Sequence, residues 1–223
     1  MRSEKNYRRI VVKVGSSLLY SKGGRLDFSI FRNIGHQIIN LVKDQKEIVI
    51  VSSGAIALGM HMLGLKERPK KMSDLQAIAA IGQNELINVY RKIFSSTGCF
   101  GAQILLTHED FDDRRRYLNA RNTLLSLLGY RKYRLQRPIP IVNENDTIST
   151  EEIKFGDNDK LSALVASLIS ADLLVILSDV DGLLDRDRKV IPVIESINSE
   201  LSLIHISEPT RPLYISYAVF CLK

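Results

Sequence analysis

Short apolar runs alternate along the chain with longer stretches in which apolar residues recur at helical spacing, the pattern of an α/β domain with a mainly parallel sheet. Ile10 to Val14 reads as a buried strand, and Phe28, Phe31, Ile34, Ile38, Leu41 and Val42 follow it at helix spacing. Ile48 to Val51 is all β-branched and reads as a second strand buried on both faces. A helix is predicted from near Ser73 to Phe94, with Leu75, Ile78, Ala79, Leu86, Ile87, Tyr90 and Ile93 on one broad face and Ser73 as its N-cap. Gly82 weakens that helix mildly. Gln103 to Leu106 and Ile139 to Val142 read as strands, the second opened by Pro138 and Pro140. Leu161, Leu164, Val165, Leu168 and Ile169 mark an amphipathic helix, and Leu173 to Leu177 a last strand. The pattern contains no internal repeat and no low-complexity segment.

Composition adds few constraints. A chain of 223 residues, 45% hydrophobic and 25% charged, has the profile of a soluble globular protein with room for one sizeable core. Cys99 and Cys221 are too few and too far apart for a disulfide framework or a metal site, so buried free thiols in a reducing compartment are expected. The first apolar run is broken by Lys13, and the stretch Leu161 to Leu177 is interrupted by Ser162, Ser167, Ser170 and Asp172; neither a signal peptide nor a membrane span is expected. A cytoplasmic location and no membrane partner follow as expectations. The net charge of +6 raises nucleic-acid binding, but the basic residues fall in short separate runs at Lys66 to Lys71, Arg114 to Arg116 and Arg131 to Arg137. Solvated surface charge, with some attraction for anionic substrates, is the preferred reading, and no nucleic-acid partner is expected.

Candidate chemistry gathers at the turns that follow strands, where an open α/β sheet places its ligands. Lys13-Val14-Gly15-Ser16-Ser17 is either a structural turn or a loop whose N–H groups face an anion; it is neither a Walker A loop nor GxGxxG. Ser52-Ser53-Gly54-Ala55 is either a serine cap with a packing glycine or a holder of a carboxylate or phosphate. The stretches Val142-Asn143-Glu144-Asn145-Asp146 and Gly156-Asp157-Asn158-Asp159-Lys160 hold seven Asn, Asp or Glu among ten residues, more than turns require. There Asp157 or Asp159 could be an N-cap and Glu144 a surface charge, but a polar ligand site is favoured. Ser178-Asp179, after the last strand, is a weak candidate for contact with a base or ribose.

Taken together, VVKVGSSLL, VSSGAIALG, LQAIAAIGQNELI, ILLTHEDFDDRRRYLNARNTL, PIPIVNENDTIS, EIKFGDNDKLSALVA and LLVILSDVDGL resemble, in order and spacing, the glutamate 5-kinases of the amino-acid-kinase superfamily over about residues 8 to 203. The VNENDT and GDNDKLSA pair distinguishes that family from carbamate, acetylglutamate, aspartate and uridylate kinases. The resemblance implies an α/β amino-acid-kinase fold, a mainly parallel open sheet sandwiched by helices, and transfer of the γ-phosphoryl of ATP to the side-chain carboxylate of L-glutamate. It implies that Lys13 contacts the phosphoryl groups and Asp159 orients it. It places Ser53, Asp146 and Asn158 on glutamate with Asn143 lining the same pocket, and Ser178 and Asp179, with Lys13, on ATP. Mg2+ is expected to arrive with ATP, so no dedicated protein metal ligand is named. Proline as feedback inhibitor and a homo-oligomer are further implications.

The resemblance has an edge. The family continues into a glycine-rich loop with a second lysine, whereas the last glycine here is Gly182, and Ile204 to Lys223 resemble nothing in the family. The expectation is a partial kinase domain over 8–203, incomplete at the C-terminus, with a non-native tail over 204–223. A sheet cut there would expose an apolar edge, and the chain as written is expected to turn over weakly or not at all. A glutamate-binding module without turnover and a different amino-acid kinase are the alternatives.

Overall fold

The structure is a computed structural model that describes residues 7–20, 26–95, 97–129, 137–149, 157–178, 189–191 and 216–221, the last segment and residue 157 by backbone alone. Its elements are β1 (Arg9–Val14), a short 3-10 turn (Ser16–Leu19), α1 (Ser29–Lys43), β2 (Glu47–Ser52), α2 (Ala55–Met62), α3 (Met72–Phe94), β3 (Cys99–Leu106), α4 (Glu109–Asp112), α5 (Arg114–Leu128), β4 (Arg137–Glu144), α6 (Asp157–Leu168), β5 (Leu173–Ser178) and β6 (Ser216–Cys221). The strands form one sheet in the order β3-β4-β2-β1-β5-β6. Neighbours among β1 to β5 pair in parallel, which confirms the expected α/β architecture, while β6 runs antiparallel along β5. The edge expected to lie open beside β5 therefore carries a paired strand from the tail.

Alternation along each strand sorts the core into two layers. Ile10, Val12 and Val14 of β1, Ile48 and Ile50 of β2, and Ile139 and Ile141 of β4 pack with Phe31, Ile38, Tyr90 and Phe94 of α1 and α3. Val11, Val49, Val51 and Val142 face the other way, against Leu124 of α5 and Leu161, Val165 and Leu168 of α6. The same parity aims the polar residues near the strand ends: Lys13 follows Val11 towards the α6 layer, whereas Ser52 and Asn143 follow Ile50 and Ile141 towards the α3 layer. Arg137, the exposed first residue of β4, donates to the Val42 carbonyl at the end of α1.

Several local expectations change. Helix α3 starts at Met72, so Ser73 lies inside it and Lys71 is the capping residue, without a side-chain cap hydrogen bond. Gly82 is more than a weak helix former: a Cβ there would lie 1.8 Å from the Ala55 carbonyl oxygen, and one on Gly59 would lie 2.1 Å from that of Ile78. Helices α2 and α3 thus cross with backbones nearly touching, which only glycine allows. The helices over 109–112 and 114–128 have no counterpart in the apolar pattern, since Leu124 is the buried residue of the longer one and its start depends on the Asp113 carboxylate accepting from the Arg116 N–H at 2.8 Å. Cys99 is a buried free thiol, as expected; the Cys221 side chain lies outside the described residues.

Candidate active site

Strands β1, β2, β4 and β5 all end at the same edge of the sheet, because they are parallel and in register from Val14 to Ser52, from Val14 to Leu177, and from Val51 to Val142. The candidate residues therefore converge there. Lys13, the penultimate residue of β1, is buried, and its ammonium reaches Asp159 Oδ1 at 2.6 Å. Asp159 lies in the first turn of α6, which packs over the face that Lys13 points to. It serves as the counterion of Lys13, not as an N-cap, and that pairing offsets the cost of holding an ammonium away from water.

Beyond β1 the chain turns through Gly15, whose N–H donates to the Leu177 carbonyl at 3.2 Å and so extends the β1–β5 ladder. A Cβ on Gly15 would lie 3.2 Å from the Leu177 carbonyl oxygen, so the turn packs closely against the end of β5. The second turn is pinned to the first by the Ser53 N–H, which donates to the Val14 carbonyl at 3.0 Å. Gly54 then takes φ +115°, a left-handed conformation, against Leu19, leading straight into α2. Below it, Tyr90 of α3 donates to Ser52 Oγ at 2.9 Å in a buried contact, and Ser52 Oγ donates to the Ser53 carbonyl at 3.3 Å. Burial drives the Tyr90 hydroxyl far above the usual phenol range, the bond to Ser52 opposing weakly.

Asparagine amides join the layers. Asn158 of α6 donates from Nδ2 to Ser53 Oγ at 2.7 Å and to Asn143 Oδ1 at 3.1 Å. Asn143, at the end of β4, donates in turn to Gln83 Oε1 of α3 at 2.7 Å. One hydrogen-bonded relay, Ser53–Asn158–Asn143–Gln83, thus ties α6 to α3 across the ends of β2 and β4. Gln83 Nε2 and Asn158 Oδ1 are buried and have no hydrogen-bond partner among the described residues.

Asp146 stands half-buried in the turn after β4, next to Asn145, whose N–H donates to the Leu106 carbonyl at 2.8 Å. Gln76 of α3 fastens this turn by donating to the Ser149 carbonyl at 3.2 Å. Glu144 is no surface charge: it is buried and accepts from Ser149 Oγ at 3.3 Å. Ser178 closes β5 at the same edge of the sheet, while Asp179 lies outside the described residues. The structure thus joins Lys13 with Asp159, and Ser53 with Asn158 and Asn143, and puts Asp146 on the turn after the β4 strand that carries Asn143. Gln83 and the Tyr90–Ser52 pair were not singled out in the sequence, where Gln83 reads as one polar position of a long helix. Its one mark in the sequence is its place beside Gly82 inside the stretch LQAIAAIGQNELI.

Two comparisons with known proteins bear on the chain as a whole. The model of the amino acid kinase family matches residues 8–204. Proteins named glutamate 5-kinase are similar over most of the chain: that of Thermoanaerobacter sp. (strain X514) is 49% identical over 209 residues, 91% of this chain and 55% of the relative. That of Caldanaerobacter subterraneus subsp. tengcongensis is 50% identical over 199 residues, 86% of this chain and 52% of the relative. That of Nitrosospira multiformis is 54% identical over 185 residues, 83% of this chain and 48% of the relative. The chain spans about half the length of the curated relatives it matches.

Proposed function

The chain belongs to the amino acid kinase family, and from that premise we propose that it performs ATP-dependent phosphorylation of the side-chain carboxylate of L-glutamate, giving glutamyl 5-phosphate at the first step of proline biosynthesis. The observation that carries this reading is the meeting, at one sheet edge, of a buried Lys13–Asp159 pair with the amide relay from Ser53 to Gln83. The first suits a polyanion and the second an amino acid. The relatives' name supplies the substrate.

The chemistry asks little of the protein beyond placement and charge. A glutamate side chain with an ordinary pKa near 4.3 is already ionised at neutral pH and attacks without a general base. Phosphoryl transfer is then accelerated by holding the carboxylate in line with the γ-phosphorus and neutralising the charge on the equatorial oxygens. Lys13 supplies that positive charge and Asp159 keeps the ammonium aimed. Ser53, Asn143 and Asn158, with Asp146, hold glutamate, and Ser178 and Asp179 contact ATP. Mg2+ carried in with the nucleotide would supply charge neutralisation at its phosphates, beside the Lys13 ammonium that Asp159 holds.

Residues 8–203 form the kinase-domain portion, and 204–223 a tail whose Ser216–Cys221 strand lies along β5. The setting is cytoplasmic, the assembly a homo-oligomer, proline a feedback inhibitor, and neither nucleic acid nor membrane a partner; no helix among the described residues is long and apolar enough to cross a membrane. The test is calorimetric binding of L-glutamate to the folded chain together with glutamate-dependent ADP release in the presence of Mg2+ and ATP. Binding is expected, and any ADP release, weak at most for this chain, should disappear in Lys13→Ala. A folded chain that ignores L-glutamate would overturn the reading.

A further inference from the structure

Helix α3 is mostly a packing element, yet it places one amide inside the site. Gln83 accepts from Asn143 Nδ2 through Oε1 at 2.7 Å, which leaves its own Nε2 buried with no acceptor among the described residues. At the opposite end of the relay, Asn158 gives both bonds from Nδ2, to Ser53 and to Asn143, and leaves its Oδ1 buried with no donor among the described residues. As placed, the amides all run one way along the relay, so the two unused groups are complementary: a donor at Gln83 and an acceptor at Asn158. Buried amide groups without partners are a standing cost that a ligand can relieve. The head group of a free amino acid carries the matching pair, an ammonium that only donates and a carboxylate that only accepts.

We infer that Gln83 is a substrate-recognition residue whose Nε2 donates to the α-carboxylate of the amino-acid substrate, while Asn158 Oδ1 accepts from its α-ammonium. The inference rests on the carboxylate-kinase reading above and extends it from the reacting end of the substrate to the end that identifies it as an amino acid. Gln83 then performs two tasks through one side chain. Its oxygen fixes Asn143, and its nitrogen reads the ligand.

Gln83→Glu separates the two. The variant keeps an oxygen towards Asn143 Nδ2 but replaces the donor by a second, negatively charged oxygen that repels a carboxylate. Binding of L-glutamate and of L-isoglutamine, in which the α-carboxylate is a carboxamide able to donate, is compared by calorimetry on the full chain. Folding is checked by circular dichroism. L-glutamate affinity is expected to fall about a hundredfold in the variant, with a much smaller loss for L-isoglutamine, so that the ratio of the two affinities shifts. Gln83→Leu, lacking both groups, should weaken L-glutamate about tenfold or more. Gln83→Glu binding L-glutamate as the wild type does, or losing both ligands in equal proportion, would overturn the inference while leaving the kinase reading intact. A folded wild-type chain that binds neither ligand would overturn both.

Discussion

Lys13 Nζ and Asp159 Oδ1 lie 2.6 Å apart, but the two side chains are unequally exposed, 8% for the lysine and 34% for the aspartate. Removing one partner strands the other, and the cost depends on which is left behind. Asp159→Ala leaves an ammonium buried without a counterion and is expected to destabilise the fold by about 3 kcal/mol. Lys13→Ala leaves a carboxylate that water reaches and should cost about 1 kcal/mol. Denaturant melts of the two variants check the asymmetry. In catalysis the order is expected to reverse, because the role proposed for Lys13 is contact with the reacting phosphoryl group: any glutamate-dependent ADP release should drop by about 100-fold or more in Lys13→Ala.

Tyr90 donates to Ser52 beneath the Ser53 turn, in the layer between α3 and β2. Tyr90→Phe removes one net hydrogen bond and is expected to cost about 1 kcal/mol at neutral pH. The pH dependence carries the sharper signature. Burial raises the folded pKa of this phenol, so its contribution is complete below the unfolded value near 10 and declines as pH rises past it, because only the unfolded chain ionises there. Wild-type stability should therefore fall by about 1.4 kcal/mol per pH unit more steeply than that of Tyr90→Phe above about pH 10. Parallel alkaline limbs in urea titrations would contradict this assignment.

Gly82→Ala sets two effects against each other. Helix propensity favours alanine by about 1 kcal/mol. A Cβ 1.8 Å from the Ala55 carbonyl oxygen cannot be accommodated without parting α2 from α3. Overpacking against backbone costs about 3 kcal/mol, so the clash wins and the variant should melt lower. Because α2 begins at the Gly54 turn, weaker binding at Ser53 should accompany the lower melting point.

At the opposite edge of the sheet, the buried Glu47 carboxylate is held by Arg9 Nη2 at 2.7 Å and Nε at 2.8 Å, and by Arg8 Nη2 at 2.9 Å. Glu47→Ala leaves Arg9 without the Oε2 that both its Nη2 and Nε reach, and should cost about 2 kcal/mol without changing ligand affinity. A loss of glutamate binding in that variant would contradict the separation of scaffold from site.

Asp172 accepts from the N–H groups of Arg9 at 2.7 Å and Arg8 at 2.8 Å, and these backbone bonds, with the nearby guanidinium charges, hold its carboxyl below the ordinary carboxylate range. Its contribution is present above the unfolded value of about 3.9 and is lost as pH falls through the lower folded value. Asp172→Asn should therefore flatten the acid limb of a stability profile below about pH 4. An unchanged limb would place the acid sensitivity elsewhere.

Much of this architecture is local and so was legible in the sequence. Runs such as Ile48 to Val51 can be buried on both faces only in a covered parallel sheet, and helix-period apolar residues supply the cover. The glycine and serine turns after β1 and β2, and the dense Asn and Asp stretches after β4 and before α6, marked the sheet edge as the site. Charged helices were harder to see: α5 buries Leu124 and displays arginines, so its apolar signal is faint and its start depends on a cap.

The residue types and their order along the chain determined the fold class, the family and the identity of the site's polar groups, because periodicity, turn chemistry and motif spacing act over a few residues. Which of those groups meet was decided by tertiary structure. Strand parity turns Lys13 towards α6 and Asn143 towards α3, the contact of Gly82 with Ala55 draws α3 close against α2, and only then do Asp159, Asn158 and Gln83 come within bonding distance of partners far away in sequence. Hydrogen bonds and ion pairs reach about 3 Å, and no local pattern specifies a distance that the packing of two layers on a sheet must set.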